Sequence, residues 1–142
     1  MRPFEFVASA LRASGAAFQP DLPTLGMLRA MGQPLFGWES PNGFPDAAPA
    51  WITTSGVLNR WNYALGIAFN TLKDTHMDPS LLIAEPANTA DGIDALSRRL
   101  LGEPLPEAER SILLSFAGNS PFSSLAPALM ALILSTPGFT YR

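Results

Sequence analysis

The sequence predicts an all-α fold of about six helices, packed as an irregular orthogonal bundle with one long ordered loop rich in aromatic residues. Apolar residues recur at helical spacing over most of the chain, and no segment shows the sustained alternation of a half-buried strand. Proline and glycine separate the periodic segments. The length of 142 residues fits one domain, so residues 1–142 are expected to form a single helical unit.

Two short helices are predicted at the start of the chain. The first begins at Pro3 and stops at Gly15, and the second follows Asp21, whose side chain can cap it. The second helix covers residues 22–31. Each has one predicted buried face: Phe4, Val7, Ala8 and Leu11 in the first helix, and Leu22, Leu25, Leu28 and Met31 in the second.

The third helix has the most regular apolar pattern in the chain. Thr54 or Ser55 can cap it, and apolar residues then follow at steps of three and four. These residues, predicted to be buried, are Val57, Leu58, Trp61, Ala64, Leu65, Ala68, Phe69 and Leu72. The opposite face is polar but uncharged, which indicates contact with protein rather than with bulk water.

The second half of the chain predicts a connector and three further helices. Residues 73–91 form the connector, with one turn opened by Asp78, and helices follow at about residues 92–101, 106–118 and 123–135. In the first two of these helices, the residues predicted inside are Ile93, Leu96, Leu100, Leu101, Ala108, Ile112, Leu113 and Phe116.

Composition excludes several classes of protein. The net charge is −3 and no run of lysine or arginine is present, so no nucleic-acid partner is expected. The absence of cysteine excludes disulfides and thiolate chemistry. The longest apolar stretch is residues 125–134, too short to span a membrane, and the start does not resemble a signal peptide. The charged fraction of 15% is low, which predicts an apolar surface covered by the rest of its own polypeptide or by another protein.

The loop at residues 32–53 is the main candidate for function, because loops are normally polar and this one contains four large aromatic side chains. Two interpretations stay open: the aromatic groups pin the loop to the core, or they form a stacking surface for a polysaccharide or a peptide. In the second interpretation, Glu39 and Asp46 supply carboxylates. The candidate binding surface consists of Gln33, Phe36, Trp38, Glu39, Asn42, Phe44, Asp46, Trp51, Arg60 and Asn62.

The helix after the loop contains Arg60 and Trp61 as neighbours, which therefore point in different directions. We expect Arg60 to donate hydrogen bonds to carbonyl groups of the loop just upstream. Trp61 lies in the apolar pattern and is expected in the core.

A weak metal candidate lies in the connector. Asp74, His76 and Asp78 alternate, so an extended chain would place their side chains on one face, near one metal ion. The alternative is a solvated linker, because His76 is the only histidine in the chain. No cofactor and no catalytic residue are predicted.

Several segments resemble the C-terminal part of the bacterial family known as domain of unknown function 1800. The specific segments are MGQPLFGW, PNGFPD and the triplet Arg60-Trp61-Asn62, and the similarity extends from RPFEFVASALRASG to ALILSTPGFTYR. The resemblance implies a C-terminal fragment of a longer, in many relatives exported, protein, and it supplies no catalytic residues. The expected function is a non-catalytic interaction domain of a larger bacterial protein; the alternatives are an extracellular polysaccharide-binding module and a metal-dependent hydrolase.

Overall fold

A computed structural model describes residues 1–20 and 22–141, and these residues are mostly helical, as predicted. The helices are α1 (Pro3–Ser14), α2 (Leu22–Ala30), α3 (Thr54–Ala68), α4 (Thr89–Leu101), α5 (Glu107–Ala117), α6 (Phe122–Leu134) and α7 (Pro137–Thr140). Two short strands, β1 (Ala17–Phe18) and β2 (Thr75–His76), and two 3₁₀ turns, Ala48–Trp51 and Pro79–Leu81, complete the described elements. Asp21, the predicted cap of α2, lies outside the described residues.

Helix ends follow the local signals in the sequence. Pro3 opens α1, and Gly15 closes it in the left-handed conformation, with φ of 65°. The cap of α3 is Thr53 rather than Thr54 or Ser55: its hydroxyl accepts a 3.0 Å hydrogen bond from the amide of Gly56. Asn88 caps α4 in the same way, so this helix begins three residues before the predicted start.

Helices α3 and α6 form the centre of the core, with α1, α4 and α2 packed around them. Small residues of α3, among them Gly56, Ala64 and Ala68, lie on its buried side and allow close packing. The fully buried large apolar side chains are Phe6, Leu28, Met31, Tyr63, Ile67, Met77, Ile93, Leu96, Leu129, Met130 and Ile133.

Some residues that were predicted to be buried are exposed in four helices, α1, α2, α3 and α5. In α3 the buried side contains Arg60, Tyr63 and Ile67, and Trp61 lies half-exposed on the other side. The remaining predicted core residues that the structure exposes are Phe4, Leu22, Leu25, Leu58, Leu65, Phe69, Ala108, Ile112 and Phe116. Apolar residues lie on two sides of α3, and periodicity alone selected the side with the larger side chains rather than the side that fits against α6.

A short antiparallel pair joins the two halves of the chain and was not predicted. Ala17 of β1 lies opposite His76 of β2, and Phe18 lies opposite Thr75. A strand of two residues is too short to show alternation in the sequence. The loop after α3 reaches this pair through Asn70, which has a φ of 53°.

Candidate functional site

The aromatic loop is ordered around three rings. The centroids of Trp38 and Phe44 are 4.9 Å apart, and those of Phe44 and Trp51 are 5.7 Å apart, both in tilted arrangements. Trp51 is buried, and its indole nitrogen donates a 3.0 Å hydrogen bond to the carbonyl of Pro45. Part of the loop is therefore held together by contacts among its own residues.

Arg60 holds the end of this loop through hydrogen bonds from the buried side of α3. Its Nη2 donates hydrogen bonds to the carbonyl of Met1 at 3.0 Å and to the carbonyl of Trp51 at 3.4 Å, which agrees with the predicted contact to the loop. The guanidinium carbon lies 5.8 Å from the ring centroid of Phe6. Burial lowers the pKa of the Arg60 guanidinium, an effect that the charge of Tyr141 partly opposes.

Two further candidate residues tie the loop to the start of α1. Gln33 is buried, and its side-chain oxygen accepts a 2.8 Å hydrogen bond from the amide of Phe4. Asp46 forms an ion pair with Arg2. Gln33 and Arg60 are thus placed inside the fold, where their described contacts hold the loop.

The outer surface of the loop consists of Phe36, Trp38, Glu39 and Asn42, all exposed. Phe36 has a φ of 59°, a conformation uncommon outside glycine, and its side chain extends fully into solvent. Trp38 is 42% exposed although it contacts Phe44. These residues form the part of the loop that a ligand could reach. Asn62 is also exposed, but it lies on α3.

Two acidic residues of the connector accept hydrogen bonds from neighbouring threonine and serine residues. Asp74 accepts from the hydroxyl groups of Thr24 and Thr75, and Asp78 accepts from the amide and the hydroxyl of Ser80 at 2.9 and 2.7 Å. Two hydrogen bonds from Ser80 lower the pKa of the Asp78 carboxyl group; the bond from the hydroxyl has the larger effect and the bond from the amide the smaller. Among the described residues, no three histidine, aspartate or glutamate side chains are grouped so that they could hold a metal ion.

A second candidate site, which the sequence did not predict, is an exposed apolar surface on α3, α5 and α6. We call it the α3–α5 face. Trp61, Leu65, Ile112 and Leu132 line one groove. The face also includes the exposed residues Leu58, Phe69 and Phe116, which lie three or four positions from these along α3, its C-terminal cap and α5. The signal for it was present in the sequence as a second apolar side on α3 and as the low charged fraction.

A groove of about 600 Å³ lies within the α3–α5 face. Trp61 and Leu65 of α3, Ile112 of α5 and Leu132 of α6 line this groove. Among the described side chains around the groove, only Glu109 is charged. Its Oε2 atom is buried and has no hydrogen-bond partner among the described residues.

Two other depressions occur on the described surface. One of about 1230 Å³ lies between α1 and α2 and is lined mainly by apolar residues, including Phe4, Leu11 and Leu25. The other, of about 480 Å³, lies where the first residues of α4 and α6 meet the connector. Several polar side chains line the second depression, among them Ser80, Glu85 and Asn88.

Comparison with known proteins gives one result. The family described as "Protein of unknown function (DUF1800)" matches residues 1–141, which is nearly the whole chain. No curated protein and no solved structure matches significantly. None of the described helices is both long enough and apolar enough to cross a membrane.

Proposed function

Because the chain belongs to the DUF1800 family of proteins of unknown function, we propose its function from its surface: it is a non-catalytic helical interaction domain of a larger bacterial protein. In this proposal the α3–α5 face receives a segment of another polypeptide or of the rest of its own polypeptide. In the same domain, the buried side chains of Gln33 and Arg60 hold the aromatic loop in place.

The observation that carries the proposal is the α3–α5 face itself. Single exposed apolar side chains are normal, but a contiguous group that includes a tryptophan and two phenylalanines is typical of an interaction surface. Trp61 lines the groove in this group, and tryptophan is enriched among the residues that carry most of the binding energy of an interface. The low charged fraction of the chain supports the same conclusion.

The shape of the face favours a polypeptide over a small molecule. Its residues on α3 and at the C-terminal cap of that helix extend from Leu58 to Phe69, a distance of about 16 Å along the helix axis. The groove is open to solvent and does not enclose a ligand. An elongated apolar surface of this kind suits an amphipathic segment that lies across it.

The polar residues of the loop support a non-catalytic role. Gln33 and Arg60 are buried, and their described hydrogen bonds go to backbone groups of the fold. Asp46 pairs with Arg2. These three residues therefore act in the architecture of the loop.

The proposal can be tested by photo-crosslinking in living bacteria. A benzophenone amino acid is placed at Leu65 or Ile112 on the face, and at Leu81 on the connector as an apolar control that is even more exposed. We expect discrete crosslinked products from positions 65 and 112, lost when Trp61→Asp is added, and none from position 81. The absence of products from both face positions would contradict the proposal.

A second candidate function, polysaccharide binding, rests on Trp38. Its partly exposed indole contacts Phe44 and lies on the loop that also exposes Glu39 and Asn42, a combination suited to stacking on a sugar ring. A glycan array tests it, with Trp38→Ala as the variant and Trp61→Ala as the matched control. Binding that only Trp38→Ala abolishes would support this function; no binding to any neutral or acidic glycan would exclude it.

A further inference from the structure

We infer that the segment bound on the α3–α5 face is an amphipathic α-helix that carries a lysine or arginine at the edge of its apolar stripe, and that this cation pairs with Glu109. The inference rests on the proposed function and adds the chemistry of the partner. It depends on two observations: the charge of Glu109 has no described partner, and the α3–α5 face is built from helices alone.

The first argument is the state of Glu109. One of its carboxylate oxygens is buried without a hydrogen bond from any described residue, and a buried acceptor without a partner is unfavourable. The carboxylate lies at the edge of an apolar groove in which no other described side chain is charged. A cation that arrives with a partner would contact the other oxygen of this carboxylate. Its charge would also favour the buried oxygen, because charges interact strongly in a site that excludes water.

The second argument is that the cationic residue next to Glu109 in the sequence is already engaged. Arg110 follows Glu109 directly, but its Nε and Nη2 donate to the two oxygens of Asp94 at 2.7 and 2.9 Å. This bidentate pair holds α5 against α4 and directs Arg110 away from the groove. Glu107 lies in the first turn of the same helix and is exposed to solvent, so it has no comparable need for a partner.

The third argument concerns the backbone of the partner. The α3–α5 face consists of side chains from three helices, and no described strand edge borders the groove. An extended peptide would find no backbone groups with which to pair, and its own amides would lose water on an apolar surface. A helix satisfies its backbone internally and presents apolar side chains at steps of three and four.

The inference is tested with synthetic peptides on the intact chain. The first peptide is an amphipathic helix of about 14 residues with leucine at steps of three and four and one lysine beside that stripe. Its twin has glutamate in place of the lysine, and a third peptide has glutamine. Binding is followed by NMR through the indole N–H of Trp61, which is assigned with Trp61→Phe.

We expect the lysine peptide to bind at least ten times more tightly than the glutamate twin and to shift the Trp61 signal. Glu109→Gln should abolish this preference, and Glu109→Lys should reverse it in favour of the glutamate twin. Glu107→Gln, on the same helix, should leave the preference unchanged. Circular dichroism of each variant shows whether the helices are intact.

The possible negative results separate the two proposals. Equal affinity for all three peptides, with loss of binding in Trp61→Ala, would overturn the role of Glu109 and leave the interaction domain standing. No binding of any peptide, or an exposed face that is instead covered by a second copy of the chain in sedimentation experiments, would overturn the helical partner. The crosslinking in cells decides the proposed function independently of these results.

Discussion

Arg60 and Trp61 are neighbours on α3, and the structure buries the charged side chain and exposes the aromatic one. Only 1% of Arg60 is accessible, compared with 46% of Trp61. Arg60 shares its side of the helix with Tyr63, Ala64 and Ile67, at the spacing of consecutive turns. The core side of α3 is thus defined by contact with the loop and with α6 and not by the larger apolar side chains.

This arrangement predicts that substitutions at two neighbouring positions change the stability of the fold by very different amounts. Arg60→Ala should lower the free energy of unfolding by about 2–4 kcal/mol, because it leaves a cavity and removes the donor to the carbonyls of Met1 and Trp51. Trp61→Ala should change it by about 1 kcal/mol or less, since the indole lies on the surface. Urea unfolding followed by circular dichroism measures both. Equal destabilisation by the two variants would contradict the assignment of the buried face.

Asn70 should contribute strongly to stability for a residue outside the helices. Its side chain donates a 2.8 Å hydrogen bond to the carbonyl of Met77 and accepts a 2.6 Å hydrogen bond from the amide of Met77. Asn70→Ala removes both and places alanine at positive φ, so we expect a loss of about 1–3 kcal/mol in unfolding free energy. Asn62→Ala, at an exposed position of α3, is the matched control. Similar midpoints for the two variants in thermal unfolding would show that the Asn70 contacts are unimportant.

Tyr63 predicts a change in stability at alkaline pH. Burial, with a smaller contribution from the charge of Asp74, raises the pKa of the Tyr63 hydroxyl. In the unfolded chain the phenol ionises near pH 10, so above this pH the folded state retains a proton that the unfolded state has lost. The contribution of Tyr63 to the free energy of unfolding is therefore complete below pH 10. Above pH 10 the free energy of unfolding decreases, by up to about 1.4 kcal/mol per pH unit.

The matched variant for this prediction is Tyr63→Phe. Its urea midpoint should fall less steeply between pH 9 and 11 than that of the unaltered protein. At pH 7 the variant should be equally stable or slightly more stable, because the buried hydroxyl has no hydrogen-bond partner among the described residues. Parallel pH profiles for the two proteins would be inconsistent with a buried neutral phenol.

Gly92 marks the closest approach of α4 to the start of α6. A Cβ atom at this position would lie 2.3 Å from a ring carbon of Phe122, much closer than van der Waals contact. Gly92→Ala should therefore destabilise the fold by about 1–3 kcal/mol, although alanine favours helix more than glycine does. The double variant with Phe122→Ala should recover part of this loss in a double-mutant cycle. Additive effects would mean that the two side chains do not meet.

The positions of the helices could be predicted from the sequence because their ends depend on local chemistry. Pro3, Gly15, Asp78 and Gly102 act within one turn of their own position, and the structure places an element boundary at each. Which side of a helix is buried depends instead on distant residues. The periodic pattern of α3 contained two apolar sides, and only the approach of α6 decides between them.

The candidate site shows the same division. The turn residues and aromatic side chains predicted an ordered loop, and the contacts among Trp38, Phe44 and Trp51 are in keeping with this. The α3–α5 face was hidden, because Ile112 and Leu65 are indistinguishable from core residues until their neighbours are known. Glu109 could not be singled out among the other acidic residues for the same reason.

The three ties between the aromatic loop and the start of α1 give the loop an uncommon status in the dynamics of the chain. Gln33 binds the amide of Phe4, Asp46 pairs with Arg2, and Arg60 joins the carbonyls of Met1 and Trp51. Loops of this length normally open independently and at low free energy. Here the loop cannot detach without freeing the first turn of α1, so residues far apart in the chain belong to one cooperative unit. A cleavage or substitution in the loop consequently lowers the protection of the α1 amides from hydrogen exchange, at the opposite end of that unit.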